Sequence, residues 1–140
     1  MLKKIGMILM AVSFVMTASA VFAQLKDGLW EITTQVQIKG VPQQMPPATF
    51  RQCLDKNDPV PKNQDKNFDC KTTSQKVIGN TISYATECKS KEGVMHTTGQ
   101  NTYADNTMNG TATTRFKIKG QPELQMTSSM KGTYLGACRK

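Results

Sequence analysis

Four cysteines, Cys53, Cys70, Cys88 and Cys138, are the residues of this 140-residue chain best able to do chemistry, and their spacing decides which chemistry. None lies in a C-x-x-C pair, so neither a thioredoxin-like redox couple nor a zinc-ribbon clamp has the spacing it needs. An even count in a small exported chain reads instead as two disulfides, with three connectivities open. Once bridged, these cysteines offer no thiol nucleophile.

The rest of the reactive inventory is sparse. There is no G-x-S-x-G, no G-x-x-x-x-G-K-[ST] and no H-E-x-x-H. A Ser-His-Asp or Cys-His site would have to use the single histidine, His96, which reads as an ordinary strand residue. No spacing singles out a pair among Glu31, Glu87, Glu92, Glu123 and the aspartates for glycosidase-type acid–base work. Catalytic residues are therefore not assigned, and no enzyme activity and no cofactor are expected. The softest donors are Met95, Met108, Met126 and Met130, with His96 beside Met95. Thioethers and an imidazole suit Cu(I), but methionine also fills gaps in a core short of larger aliphatics, and that reading is preferred.

These residues need a compartment and a scaffold. Residues 1–23 carry Lys3 and Lys4, an apolar run from Ile5 to Met16, and the small-residue ending Ala18-Ser19-Ala20-Val21-Phe22-Ala23. That is the grammar of a cleaved secretory leader, with the mature chain expected to begin at Gln24. The run is too short for a comfortable membrane span. The remaining 117 residues make one domain, 24–140, with 16 Lys/Arg against 10 Asp/Glu, a net charge of +6. A positive balance favours anionic partners, yet the charge is scattered as on a solvated surface, so nucleic acid is not expected. Val, Ile, Leu and Phe supply only 18 of the 117 residues, so the core is thin and the disulfides must make up the deficit.

The scaffold reads as strands throughout. Residues 28–39 alternate, with Trp30, Ile32, Val36 and Ile38 on one face. Short or alternating segments follow at 49–54, 72–78, 82–88, 94–103, 107–119 and 124–134. Residues 40–47 form a Pro-rich loop; 55–69 are polar and irregular, with one helical turn expected after Asp55. In the sixth strand Met108, Ala112, Phe116 and Ile118 face inward, and in the seventh Leu124, Met126, Met130 and Tyr134. Gly79-Asn80-Thr81 makes a hairpin; with a three-residue loop, Cys70, Ile78, Ile82, Tyr84 and Cys88 share one face. A small register adjustment then brings Cys70 to Cys88, leaving Cys53 for Cys138. The architecture is all-β: an antiparallel meander curled into a barrel or half-barrel and stapled by these two disulfides.

Two surfaces follow from that curl. Trp30, Phe116, Met126, Met130 and Tyr134 line the concave face and are the candidate ligand-facing residues, although few large side chains are available and a filled core is preferred to an open one. Arg115, Lys117, Lys119 and Lys131 point outward as a candidate basic stripe, or as edge lysines that discourage aggregation.

The chain also resembles a family. The opening Gly28-Leu29-Trp30-Glu31-Ile32-Thr33, Met45-Pro46-Pro47, Gln52-Cys53-Leu54, Cys70 and Cys88 stand in a familiar order. So do Gly99-Gln100-Asn101-Thr102-Tyr103, Met126-Thr127, and Lys131-Gly132 through Gly136-Ala137-Cys138. Together they look like the small exported proteobacterial proteins grouped as domain of unknown function 3617. The resemblance implies a periplasmic, Gram-negative setting and supports pairing of the four cysteines; it carries over no catalytic residue, ligand or partner. The expected function is a non-catalytic binding or interaction module of the cell envelope. It would act through its basic outer face and loop 40–69 on anionic envelope components or another periplasmic protein. Carriage of a small apolar ligand or lipid in the concave face is the second reading, and Cu(I) binding by the methionines the third.

Overall fold

The alternation of apolar and polar residues that runs through the chain produces strands almost without interruption. A computed structural model describes residues 25–62 and 65–139; the leader expected over 1–23 and its cleavage point lie outside the described residues. The strands are β1 (Gly28–Ile38), β2 (Ala48–Leu54), β3 (Asp69–Ile78), β4 (Thr81–Lys89), β5 (Gly93–Ala104), β6 (Thr107–Ile118) and β7 (Leu124–Gly136). All pairings are antiparallel, in the order β2-β1-β7-β6-β5-β4-β3, and the sheet curls into a half-barrel whose two ends, β2 and β3, do not meet. Residues β3 to β7 form the expected meander. The first strand then lies against the last, with Trp30 opposite Tyr134 and Ile38 opposite Met126.

Both disulfides are present, Cys53–Cys138 and Cys70–Cys88. Cys53 stands opposite Leu29, and Leu29 opposite Gly136, so the first bridge crosses over β1 on the outer face. Cys70 and Cys88 face each other directly, 4.0 Å apart at Cα.

The route to that second bridge differs from the expected one. The β3–β4 turn has two residues, not three: Ile78 pairs with Thr81, and Gly79 supplies the positive φ (59°) at the first turn position. Ile78 is thereby sent to the outer face, where it is 64% exposed, and Val77 takes the inward place opposite Ile82. A bulge between Thr72 and Ser74 absorbs one residue and restores the cysteines to register. The helical turn expected after Asp55 is also absent. The Asp55 carboxylate accepts the N–H groups of Asn57 (2.7 Å) and Asp58 (2.8 Å), the local alternative with which Asp competes against a helix.

One end of the concave face is filled. Trp30 is fully buried there, edge-on to Tyr103 and Tyr134 with ring centroids 5.5 Å away in both cases, and its indole N–H donates to the Lys26 carbonyl at 2.9 Å. Gly132 makes room for it: a Cβ there would stand 3.1 Å from Met108 Cε and 3.5 Å from the Trp30 ring. Ile32, Leu54, Val60 and Met108 complete this packing.

Burial also pushes up the phenols of Tyr84, to about 12, and of Tyr103; a hydrogen bond from Asn101 opposes part of each shift. The sign of the consequence follows. Between pH 10 and 12 the unfolded chain has released the Tyr84 proton and the folded one has not, so stability falls as pH rises through that window. For Tyr84 alone the loss reaches up to about 3 kcal/mol above pH 12. Urea unfolding at pH 9 and pH 11.5 measures it; equal midpoints would contradict the assignment.

Candidate functional site

From the Trp30 end of the sheet to the other, the inward side chains of the central strands run large, small, large. On β6 they are Met108, Gly110, Ala112, Thr114 and Phe116; on β5, Tyr103, Asn101, Gly99, Thr97 and Met95. Strand β7 places Ser128 between Met130 and Met126. Pairing sets the small ones side by side: Ser128, Ala112 and Gly99 form one row across three strands, with Val36 at one end and Tyr84 at the other. Side chains this short do not reach across a curved sheet. A hollow of about 420 Å³ remains on the concave face, within the range of roughly 300–1,000 Å³ typical of small-molecule sites.

The β2–β3 connection borders it through Pro61 and Lys62. Although polar overall, this segment contains Pro59-Val60-Pro61, and Pro59 and Val60 are fully buried against the concave face. Two hydrogen bonds pin it: the Tyr103 hydroxyl donates to the Pro59 carbonyl (2.8 Å), and the Lys62 N–H donates to Gln52 Oε1 (3.1 Å). Further on, Phe68 stacks edge-on against Phe116, centroids 6.2 Å apart.

The hollow is chemically quiet. Met95, Met126, Met130, Phe50 and Val36 line it, and the Cys70–Cys88 bridge closes one side. The hydroxyls of Thr97 and Thr114 satisfy each other at 2.7 Å. Lys62 is the one charged residue among the described residues of the lining, its ammonium 2.9 Å from Asp58 Oδ1. On the outer face a larger depression, about 610 Å³, is lined chiefly by Gln, Thr and Ser side chains such as Gln35, Thr98, Thr113 and Ser129. That face offers hydrogen bonds already well served by water; the concave face offers apolar surface.

A family model described as "Protein of unknown function (DUF3617)" matches residues 25–138. The chain belongs to the DUF3617 family. No curated protein and no solved structure matches it. The DUF3617 match takes in all seven strands, the bordering segment and all four cysteines, so the hollow and both staples lie inside the family's domain.

Within this DUF3617 domain the expected site residues separate. Of the five ligand-facing candidates, Met126 and Met130 line the hollow. Trp30 and Tyr134 belong to the filled end, and Phe116 packs on Phe68. Filling of the concave face stops where the inward residues shrink. Thr34, Phe50, Tyr84 and Thr97 line the hollow and were not expected from the sequence to face a ligand; Met95, expected only as a metal donor, lines it too. Their signal was the run of small inward residues Gly110-Ala112-Thr114 and Asn101-Gly99-Thr97, legible once inward parity is assigned.

The metal set also comes apart. His96 is on the outer face, half exposed and 3.7 Å from Glu87, while its neighbour Met95 faces inward. Met108 is buried beneath Trp30. Only thioethers, from Met95, Met126 and Met130, share the hollow. Nor is there one basic stripe. Arg115, Lys117 and Lys119 follow each other outward along β6 and its end, but Lys131 pairs with Asn109, six residues and about 20 Å away. At the Arg115 end Glu87 sits among Lys89 (3.3 Å), His96 and Lys71 (3.8 Å), and the hydrogen bond from Lys89, with these charges, holds its carboxyl below the usual range. Loop 40–69, expected as an open recognition surface, is exposed over 41–49 but buried at Pro59 and Val60.

Proposed function

We propose that this domain binds one small apolar ligand in the hollow on the concave face, bordered by Pro61 and Lys62, and holds it without chemical change. The observation that carries the reading is the 420 Å³ apolar hollow at the small-residue waist of the sheet. Its wall offers thioethers, a disulfide and hydroxyls, of which those of Thr97 and Thr114 bond each other, a set suited to holding a ligand rather than transforming it. The two disulfides suit an oxidising compartment, which agrees with the leader expected over 1–23 and with service in the periplasm. Carriage thereby moves ahead of recognition through the outer face, where the cations are divided between two ends of the sheet.

Uptake of the neutral apolar dye N-phenyl-1-naphthylamine by the disulfide-bonded protein tests this. Fluorescence should rise and saturate. Ser128→Phe, which places a ring in the hollow, should weaken uptake at least about tenfold, the order of a blocked apolar subsite, with an intact strand spectrum. No uptake by the unaltered protein, or equal uptake by both, would overturn the proposal.

A further inference from the structure

The ligand's head group can be read from the one charge at the hollow. We infer that the natural cargo is a single-chain amphiphile with an anionic carboxylate head, its chain in the hollow and its head at Lys62. The inference rests on the binding reading above and adds the chemical class. Among the described residues lining the hollow Lys62 is the only charged one, and it sits on the segment that borders it. Its backbone is tied down by the bond to Gln52, three residues after the Pro59 carbonyl takes the Tyr103 hydroxyl, so the residue that carries the ammonium is held at the hollow's edge. Its side chain is 30% exposed, neither free in solvent nor sealed off.

Asp58 is its partner, at 2.9 and 3.0 Å from the two carboxylate oxygens. That carboxylate is half exposed, so water supports it when the pair opens. An ammonium on a flexible four-carbon stem carries three donors and can turn from Asp58 to an incoming carboxylate. The apolar wall beyond it asks for a hydrocarbon chain, and the volume limits that chain. At about 30 Å³ for each water-sized group, 420 Å³ holds roughly 14 such groups. That accommodates one medium chain.

Dodecanoate and methyl dodecanoate share the chain and differ in the head's charge. Each is used to displace N-phenyl-1-naphthylamine from the unaltered protein, from Lys62→Gln and from Lys62→Arg. Dodecanoate should weaken by about tenfold in Lys62→Gln, the order of one charge-assisted hydrogen bond at a partly exposed site. The ester should change by less than twofold, and Lys62→Arg should restore dodecanoate. If Lys62→Gln weakens acid and ester equally, or neither, the anionic head is wrong while dye uptake leaves the hollow's role standing. If the unaltered protein takes up no dye at all, the underlying reading fails first.

Discussion

Serine at both Cys53 and Cys138 lowers the unfolding free energy by about 4.6 kcal/mol, the chain-entropy value for a bridge closing 85 residues of sequence. Serine at both Cys70 and Cys88, which close only 18, lowers it by about 3.2 kcal/mol. A small domain has roughly 5–15 kcal/mol to lose. Loss of the long bridge therefore removes most of the stability of a chain whose large aliphatic and phenylalanine content is this low. Urea unfolding of the two double variants, read at constant slope, gives both numbers. The structure adds a second discriminator. Cys53–Cys138 crosses over β1 on the outer face, whereas Cys70–Cys88 borders the hollow. Dye uptake should survive the first change at low urea and weaken in the second. The reverse ranking of stabilities would mean that the unfolded chain keeps structure that cancels the entropy of the longer ring.

Trp30→Ala costs about 3–5 kcal/mol, as expected for deleting a fully buried ring from a packed site. The cost has identifiable parts: two edge-on aromatic contacts, the hydrogen bond to Lys26, and the space left over Gly132. Trp30→Phe should cost less than half as much and should leave dye uptake within twofold, because Trp30 does not line the hollow. A loss below 1 kcal/mol for Trp30→Ala, or a large change in uptake for Trp30→Phe, would contradict the division into a filled end and a hollow one.

Alternation made the strands and their faces legible. Trp30, Ile32, Val36 and Ile38 lie inward as their period of two requires, as do Met108, Ala112 and Phe116. Both disulfides were also within reach, yet through the wrong turn: a two-residue turn plus a bulge arrives at the same cysteine pairing as a longer loop with an adjusted register. Ile78 bears the difference, because one residue of slip moves a side chain to the other face. The hollow was harder to see. Parity says which residues point inward; it does not say which of them become neighbours across the sheet, and only that adjacency lines up Ser128, Ala112 and Gly99. The bordering segment was hidden by its composition. Pro59-Val60-Pro61 is a short apolar island in a polar stretch, and what buries it is the Tyr103 end of the sheet, more than forty residues further along.

The pairing of β1 with β7 has a consequence for how this protein is made. A chain emerging N-terminus first presents Trp30 and Ile32 roughly a hundred residues before the strand that will cover them. Meanwhile β3 to β7 can assemble as successive local hairpins. The cysteines emerge in the order 53, 70, 88, 138, and their native bonds are nested, the inner pair within the outer. An oxidant working strictly in order of emergence would join Cys53 to Cys70, a bond that takes one cysteine from each native pair and so blocks both. Correct assembly therefore depends on Cys53 staying reduced until the last strand arrives, or on an isomerase that undoes the early mistake.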